Sequence, residues 1–489
     1  MNRSAACRLR ARLASALLFL AAALPAAAQA PADGGLLDRR IAAALDTGAL
    51  GRVHWGIAVH DVASGRLLYG RDAERLFVPA SNLKLIVAAA AAHHLGADYR
   101  YVTSFRATGP VRDGVLAGDL VVYGRGDPTI SGRYEPDMLA RFRAVADSLR
   151  AHGVRRITGG VVADVAHWPH EPQHGDWERY DLNWWYAAPT GPLGFNDNAI
   201  DFRVAPGVLG QAASITWLPR TAMFTFSNRT RTVAEGGEHT LDFDRVSGTD
   251  SIVAFGDIPL KTAVRTESFA VRDPALYAVT VLAETLAAAG IAVAPDRVRV
   301  VRGATAGATL FELRSPPLPQ LVGPVLQTSQ NWFADQLLRT LGHAVEGTGS
   351  WDAGLRVESR FLTRVVGLDD SAFRLRDGSG LSGANLVTPS LLAALARYIA
   401  REPTQRVVYD ALPVSAGATG SLRRRLEDLP GRVRAKTGSI RNVDSLAGTL
   451  RTDSGREVAF GIVANAHGLP GARVRAAIDQ VVRILAREL

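Results

Sequence analysis

Residues 78–96 open Val78-Pro79-Ala80-Ser81-Asn82-Leu83-Lys84-Leu85-Ile86-Val87 and continue as a run of alanines closing at Gly96. Pro79 suits a helix start and Gly96 a helix stop, and the helix predicted between them is apolar nearly all round. Such a helix belongs in the middle of a domain. Ser81 and Lys84, three apart at its start, share one face a turn apart. A serine hydroxyl is a poor nucleophile until a neighbouring base takes its proton. Lysine can be that base if burial, the positive helix N-terminus or a second cation depresses its pKa. Taken alone, Ser-x-x-Lys also fits a snorkelling lysine beside a helix-capping serine.

Lysine usage sharpens the choice. Of 56 basic residues only three are lysines: Lys84, Lys261 and Lys436. Arginine cannot lose its proton in a protein whereas a lysine amine can be tuned into a base, so these three are where chemistry is sought first. Lys436 opens Lys436-Thr437-Gly438-Ser439, followed by a predicted strand pair, Val443–Arg451 and Glu457–Asn465, turned at Asp453-Ser454-Gly455. Between the two lysines lies Ser329-Gln330-Asn331, at the start of an amphipathic helix predicted to run to Gly342. The patterns S-x-x-K, S-x-N and K-[ST]-G each occur once, in that order. Each is weak alone; the ordered set is strong.

That triplet is shared by class A β-lactamases and penicillin-binding proteins. Ser81 and Ser329 stand 248 residues apart, and a long insertion at that point resembles the class C low-molecular-mass penicillin-binding proteins, the D-alanyl-D-alanine carboxypeptidase/endopeptidase family. Gly124-Arg125-Gly126-Asp127-Pro128-Thr129, Tyr186-Ala187-Ala188-Pro189 and Asp377-Gly378-Ser379-Gly380-Leu381-Ser382, with Asn385 and Thr388-Pro389 beyond, are similar to that family too. The resemblance implies a mixed α/β (α+β) fold: a serine β-lactamase/transpeptidase-like catalytic domain, interrupted by an inserted α/β domain that carries a small all-β domain. It implies hydrolysis of peptidoglycan stem peptides through a serine acyl-enzyme, with β-lactams as inhibitors.

In such a site Ser81 attacks the carbonyl between two D-alanines and Lys84 accepts its proton. Ser329 relays a proton to the departing amine, Asn331 hydrogen-bonds the substrate backbone, and Lys436 with Thr437 holds the terminal carboxylate. Lys436 also supplies a like charge that keeps Lys84 neutral. The oxyanion faces backbone N–H groups of Ser81 and Ser439, with Gly438 between the binding residues. No metal or cofactor is implied. The family often carries Arg after Gly-Leu-Ser and a Trp-x-Trp-Asp-Asp-like stretch in the insertion. Here the first position is Gly383 and the second stretch reads Trp177-Glu178-Arg179-Tyr180-Asp181. Trp177 and Asp181 are therefore expected to contact a diaminopimelate side chain, with weaker preference for its free carboxylate.

The chain of 489 residues has room for about three domains. Its 47% hydrophobic and 21% charged residues are ordinary globular values, which exclude a disordered, fibrous or multi-span membrane chain. The net charge of +9 invites a nucleic-acid reading until its placement is considered. Arg3, Arg8, Arg10 and Arg12 precede an apolar run, Leu13 to Leu24, that ends in the small residues Ala26 to Ala30. This is a secretory signal peptide, read as residues 1–28 with cleavage after 28 favoured over 30. Its removal takes four positive charges and leaves no Lys/Arg stripe that resembles a phosphate footprint, so no nucleic-acid partner is expected. The run is too short to serve as a transmembrane anchor. The expected location is the periplasm or cell-wall space. Cys7, the single cysteine, lies inside the signal, so the mature chain must hold together by core burial alone.

The expected division is 29–97 and 306–489 for a split catalytic domain, 98–194 and 258–305 for an inserted α/β domain, and 195–257 for a nested β domain. The first part opens with a surface helix, Leu36 to Leu50, and a hairpin, Val53–Val62 with Arg66–Tyr69, turned at Ser64-Gly65. Strands over Leu120–Tyr123 and Gly160–Val165, a helix Met138–Gly153, a helix capped by Asp273 and begun by Pro274, and a strand Arg297–Val301 build the α/β part. Short alternating runs at Ser214–Leu218, Ala222–Phe226 and Thr240–Asp244 build the β part. The last helix, with Val474, Ile478, Val481, Val482, Leu485 and Leu489 on one face, packs on the catalytic sheet rather than on a membrane. His167, His170 and His174 near Asp164 have metal-like spacing but sit in a Pro-rich loop without a zinc helix, which favours a loop. The absence of G-x-S-x-G disfavours an α/β-hydrolase. Two alternatives remain: a β-lactamase using the same site, and a non-catalytic cell-wall scaffold on a retired enzyme fold.

Overall fold

The computed structural model describes residues 34–132, 134–135, 137–294 and 296–489. Residues 1–28, where a signal peptide is expected, and Cys7 with them, lie outside the described residues. No helix among the described residues is long and apolar enough to cross a membrane.

Both ends of the chain build one antiparallel sheet of five strands, ordered Val433–Ile440, Val443–Arg451, Glu457–Asn465, His54–Asp61, Leu67–Arg71. His54 pairs with Asn465 and the register continues to Asp61 opposite Val458. The helices Gly34–Leu45 and Gly471–Glu488 cover one face, joining Leu37, Ile41 and Leu45 to Val474, Ile478, Val481, Val482 and Leu485 in a single core with Ile57, Leu446 and Ile462. The first helix ends at Leu45 rather than Leu50, where its apolar stripe at spacing four runs out. On the other face lie the helix Pro389–Arg401 and a bundle of Lys84–His94, Leu318–Gln327, Asn331–Glu346 and Trp351–Arg360. Leu85 to Ala91 are all fully buried, as an all-round apolar helix requires. The helix from Asn331 does not stop at Gly342 but runs to Glu346, with Gly347 (φ 76) as its cap. Gly342 serves a different need: a Cβ there would meet the backbone N of Gly354 at 2.8 Å, so it permits a close crossing with the helix Trp351–Arg360.

The inserted part has its own five-stranded mixed sheet, ordered Val298–Val301, Val161–Asp164, Leu120–Tyr123, Val102–Ala107, Ala308–Arg314. Helices Ala140–Ala151 and Pro274–Ala288 pack on it, the second capped by Asp273, whose carboxylate accepts the Leu276 N–H (3.0 Å). Ala308–Arg314 lies past residue 305 and pairs with Val102–Ala107, so by pairing this sheet reaches Arg314. The β part comprises two three-stranded sheets: Ser214–Leu218, Ala199–Ala205, Arg265–Ala270, and Thr225–Val233, Ser251–Pro259, Asp242–Arg245. Ser251–Pro259 passes through 257, and Arg265–Ala270 completes the first of these sheets beyond it. The strand expected at Ala222–Phe226 is instead Thr225–Val233; its sequence is mostly polar, so no apolar alternation marks it. Phe202, Phe243, Ile252 and Phe269 share one core with Phe105, Val122 and Val161, so the β sheets and the α/β sheet bury the same apolar interior.

Candidate active site

A 3-10 turn, Ala80–Leu83, leads into the helix Lys84–His94 and places Ser81 half-buried at its mouth, with Lys84 fully buried one turn on. Lys84 Nζ donates to Ser81 Oγ (2.9 Å), Asn331 Oδ1 (2.7 Å) and the Ser379 carbonyl (2.6 Å). Burial pulls the Lys84 amine down to about 8, while the carboxylates of Asp335 and Asp377 work against that fall. Its opposite number, Lys436, is also fully buried and donates to Ser329 Oγ (2.8 Å) and the Thr437 carbonyl (2.7 Å). Burial first, and then repulsion from Lys84, hold the Lys436 amine well below the ordinary lysine range. Repulsion between the two amines acts on both, and burial is the larger cause at each. Lys261, the third lysine, is an exposed turn residue paired with Glu235 (2.7 Å) and has no part in the site.

Lys436, Thr437, Gly438 and Ser439 lie on the edge strand Val433–Ile440. At Gly438 a Cβ would stand 2.3 Å from Ser445 Oγ, 2.7 Å from the Pro79 carbonyl and 3.0 Å from Ser81 N, so only glycine lets this strand lie against the nucleophile turn. Thr437 Oγ1 donates to Ser421 Oγ (2.8 Å), and Ser439 lines the cleft. Asn82, fully buried, ties the turn to the strand: with its amide turned to suit its neighbours it donates to the Lys436 carbonyl (2.6 Å).

The second motif opens the helix Asn331–Glu346. Asn331 Oδ1 accepts from Lys84, and its Nδ2 donates to the Tyr186 carbonyl (2.7 Å) in the inserted part. One amide side chain therefore ties both helices to the insertion. The preceding Ser329 has φ 61, a left-handed conformation that costs a non-glycine residue about 1–3 kcal/mol and persists only where its surroundings fix it.

Behind Lys84 lies a set of three acids, of which the sequence singled out only Asp377. Asp377 is fully buried and accepts four hydrogen bonds, from Gly380 N (2.7 Å), Ser382 N (2.8 Å), Asn385 Nδ2 (2.9 Å) and Trp177 Nε1 (3.0 Å). These four donors fix the loop that offers the Ser379 carbonyl to Lys84. Asp335, one helical turn after Asn331, accepts from Gly378 N (3.0 Å), and burial together with Asp377 pushes its carboxyl well above the ordinary range. Glu358 on the next helix is fully buried, neither carboxyl oxygen has a hydrogen-bond partner, and burial raises its pKa strongly as well. The Asp377 loop was visible through its glycines and serines; Asp335 and Glu358 carried no signal in a helical pattern.

Together these groups border a cleft of about 770 Å³ lined by Ser81, Ser329, Asn331 and Ser439 and closed by residues of the insertion. Asp181 reaches it and accepts from Tyr186 OH (2.9 Å); burial raises its carboxyl, and that hydrogen bond lowers it. Trp177 does not line it. Its ring is buried against Trp351 (centroids 5.6 Å apart) and its N–H is spent on Asp377, so it braces the site from behind. Glu178 stands on the cleft wall in its place, as do Gly383, with nothing within 4 Å of a built Cβ, and Arg441, which forms no ion pair among the described residues. Arg441 is a cation that sequence reading overlooked. His167 lies against His343 with the rings tilted by 41° (3.8 Å between centroids), and His170 contacts Arg302. Among the described residues, no group of three or more His, Cys, Asp or Glu is disposed to hold a metal ion.

A family model described as the D-Ala-D-Ala carboxypeptidase 3 (S13) family matches residues 37–488. The chain is 33% identical over 452 residues to D-alanyl-D-alanine carboxypeptidase of Actinomadura sp. (strain R39), covering 89% of this chain and 82% of that relative. It is 26% identical over 456 residues to D-alanyl-D-alanine carboxypeptidase DacB of Haemophilus influenzae, covering 89% and 90%. Among solved structures it is similar to penicillin binding protein 4 (dacB) from Haemophilus influenzae, with TM-score 0.79 and 23% identity over 92% of this chain and 98% of the other. The two share a mixed α and β fold of several sheets.

Proposed function

This chain belongs to the D-Ala-D-Ala carboxypeptidase 3 (S13) family, and from that premise we propose how its cleft carries out the family's reaction. It is a serine-type D-Ala-D-Ala carboxypeptidase, a hydrolase. The supporting observation is the paired geometry of two buried lysines, Lys84 on Ser81 at 2.9 Å and Lys436 on Ser329 at 2.8 Å. Ser81 Oγ attacks the carbonyl carbon of the penultimate D-alanine of a peptidoglycan stem peptide and gives its proton to Lys84 Nζ. The N–H groups of Ser81 and Ser439 receive the oxyanion. As the C–N bond breaks, Ser329 Oγ passes a proton to the departing D-alanine amine, and the proton that Lys84 took from Ser81 replaces it, so that Lys84 is neutral again when water arrives. Water then attacks the ester, its proton returning through Lys84, and Ser81 is freed.

Thr437 and Ser439 hold the substrate's terminal carboxylate, with Lys436 behind them donating to Ser329 Oγ. Asn331 bonds the substrate backbone. Asp181, Glu178 and Arg441 face the stem-peptide side chain. Cross-linked peptides fit the same chemistry, giving endopeptidase activity. The signal-like residues 1–28 direct the chain to the periplasm or cell-wall space, and β-lactams acylate Ser81. The catalytic part is split around an insertion running from about 98 to about 314, within which the β sheets form a subsidiary unit.

Fluorescent penicillin tests this reading. Wild type should give a long-lived adduct and Ser81→Ala, folded by circular dichroism, none. Rapid turnover would point to a β-lactamase, no adduct at all to a scaffold, and labelling of Ser81→Ala would remove Ser81 from its role. Digestion of defined muropeptides, with products read by mass, separates carboxypeptidase from endopeptidase activity.

A further inference from the structure

Gln330, the middle residue of Ser329-Gln330-Asn331, is fully buried and its amide serves two elements at once. Oε1 accepts the Trp332 N–H (3.1 Å) and caps the helix Asn331–Glu346, while Nε2 donates to Asp197 Oδ2 (2.9 Å), 133 residues away in the insertion. The other oxygen of Asp197 accepts from Ser131 Oγ (3.0 Å). Asp197 is the centre of three consecutive non-glycine residues, Asn196, Asp197 and Asn198, with φ of 47, 54 and 54. Such a run persists only when its surroundings over-determine it. Here they do: Asn196 Nδ2 donates to Asp201 Oδ2 (3.1 Å), and Asn198 accepts from Phe195 N (3.0 Å) and donates to the Pro189 carbonyl (2.7 Å). Across the seam Ser329 is itself left-handed at φ 61, with the Gln330 N–H held by the Pro324 carbonyl (3.1 Å). Two strained stretches of backbone from different parts of the fold thus meet through one carboxylate-to-amide hydrogen bond.

We propose that Asp197 is a positioning residue for Ser329: through Gln330, the insertion holds the second motif in the left-handed conformation that keeps Ser329 Oγ on Lys436 and facing the cleft. This rests on the acyl-transfer reading above. Without the carboxylate, a buried amide N–H loses its partner and Ser329 is free to relax toward an ordinary conformation, moving a hydroxyl that must stay within hydrogen-bond reach of Lys436. Asn331 is held separately by Lys84 and the Tyr186 carbonyl. The loss therefore falls on proton delivery to the leaving group and not on substrate binding or on Lys84.

The test compares wild type, Asp197→Ala, Gln330→Glu and the exchange Asp197→Asn with Gln330→Glu, reading kcat and KM on a D-Ala-D-Ala peptide, the rate of penicillin acylation, and thermal stability. Asp197→Ala should lower kcat at least about tenfold with KM changed less than about threefold, a split that loss of a transition-state interaction produces. Gln330→Glu alone sets two carboxylates face to face and should be worse. The exchange restores one donor and one acceptor with direction reversed, and should recover kcat to within about fivefold of wild type. A folded Asp197→Ala with kcat within twofold of wild type would overturn the proposal. So would an exchange variant that fails to fold, or whose loss is the product of the single losses. If wild type itself neither cleaves the peptide nor forms a penicillin adduct, the acyl-transfer reading fails and not this one alone.

Discussion

Lys84 and Asn331, 247 residues apart in the chain, are joined by a hydrogen bond of 2.7 Å between the amine of one and the amide oxygen of the other. The second fixed acceptor is the Ser379 carbonyl at 2.6 Å. Neither oxygen can donate. A neutral amine has two N–H groups and one lone pair, so both N–H groups go to these acceptors and the lone pair is left for the Ser81 hydroxyl. The neighbours of Lys84 thus fix which way the proton moves once the amine is neutral.

The pH dependence follows from that arrangement. With its pKa lowered to about 8, Lys84 is protonated below that value and becomes a base as pH rises through it. Penicillin acylation should therefore rise about tenfold between pH 7 and pH 9 and level above it. Lys84→Arg should be slow and flat over the same range, because guanidinium stays protonated. Stopped-flow or gel-based acylation rates give the profile; a wild-type rate independent of pH from 6 to 9 would contradict it.

Gly438→Ala should slow acylation about a hundredfold in a protein that still folds. The added methyl cannot avoid Ser445 Oγ, the Pro79 carbonyl and Ser81 N, all within 3.0 Å of its position, so the edge strand must withdraw from the nucleophile. A displacement of about 1 Å at a reacting centre costs on the order of a hundredfold in rate. Circular dichroism with the acylation rate separates this from unfolding, and near-normal acylation would show that the strand can shift without consequence.

How much of this was open to a reader of the sequence depends on what each residue had to announce itself with. Lys84 and Lys436 stood out because lysine is so rare here, and both are fully buried. The strands Val443–Arg451 and Glu457–Asn465 alternate or run apolar between clear turns and lie where their pattern puts them. Glu358 and Asp335 had no such mark: an acid on an amphipathic helix reads as its wet face until a neighbouring helix covers it. Trp177 misled for the opposite reason, since an indole in a polar stretch suits either a binding wall or an anchor, and only its bond to Asp377 decides. The strand Ala308–Arg314 is mostly exposed on a sheet edge, where periodicity is weakest.

Glu358→Gln should be nearly neutral for stability in acid and increasingly favourable as pH rises. The buried carboxyl of Glu358 has its pKa raised far above 4.5, so what it contributes is present below that value and is lost as pH climbs toward the folded-state pKa. Glutamine has no proton to lose. Melting temperatures of both proteins at pH 5, 7 and 9 should diverge with pH in favour of the variant; parallel curves would show that Glu358 does not carry a pH-dependent cost.

Side-chain selectivity should rest on Arg441. It lines the cleft without an ion-pair partner among the described residues, and its charge acts on Asp181, which lines the same cleft with Glu178. Arg441→Ala should lower kcat/KM for a peptide with a free diaminopimelate carboxylate about tenfold relative to its amidated form, as for loss of one charge-assisted contact at an open site. Gly383→Arg, placed in open space on the same wall, should raise that ratio. Equal ratios in wild type and Arg441→Ala would show that another group reads the carboxylate.

The order of strands in the catalytic sheet governs when the enzyme can exist at all. His54–Asp61 pairs on one edge with its neighbour Leu67–Arg71 but on the other with Glu457–Asn465, and the turn carrying Ser81 rests on Val433–Ile440, so one edge of the earliest strand made waits for the latest. Until then it exposes an unpaired hydrophobic edge, the kind of surface that recruits other chains. Closing so distant a pair carries a large loop entropy and makes formation of this sheet a slow, late event. The sheet of the insertion takes all its strands from the stretch 102–314 and needs none from either flank. The active site is therefore unmade, and hydrolytic activity withheld, until the strand ending at Asn465 has been synthesised.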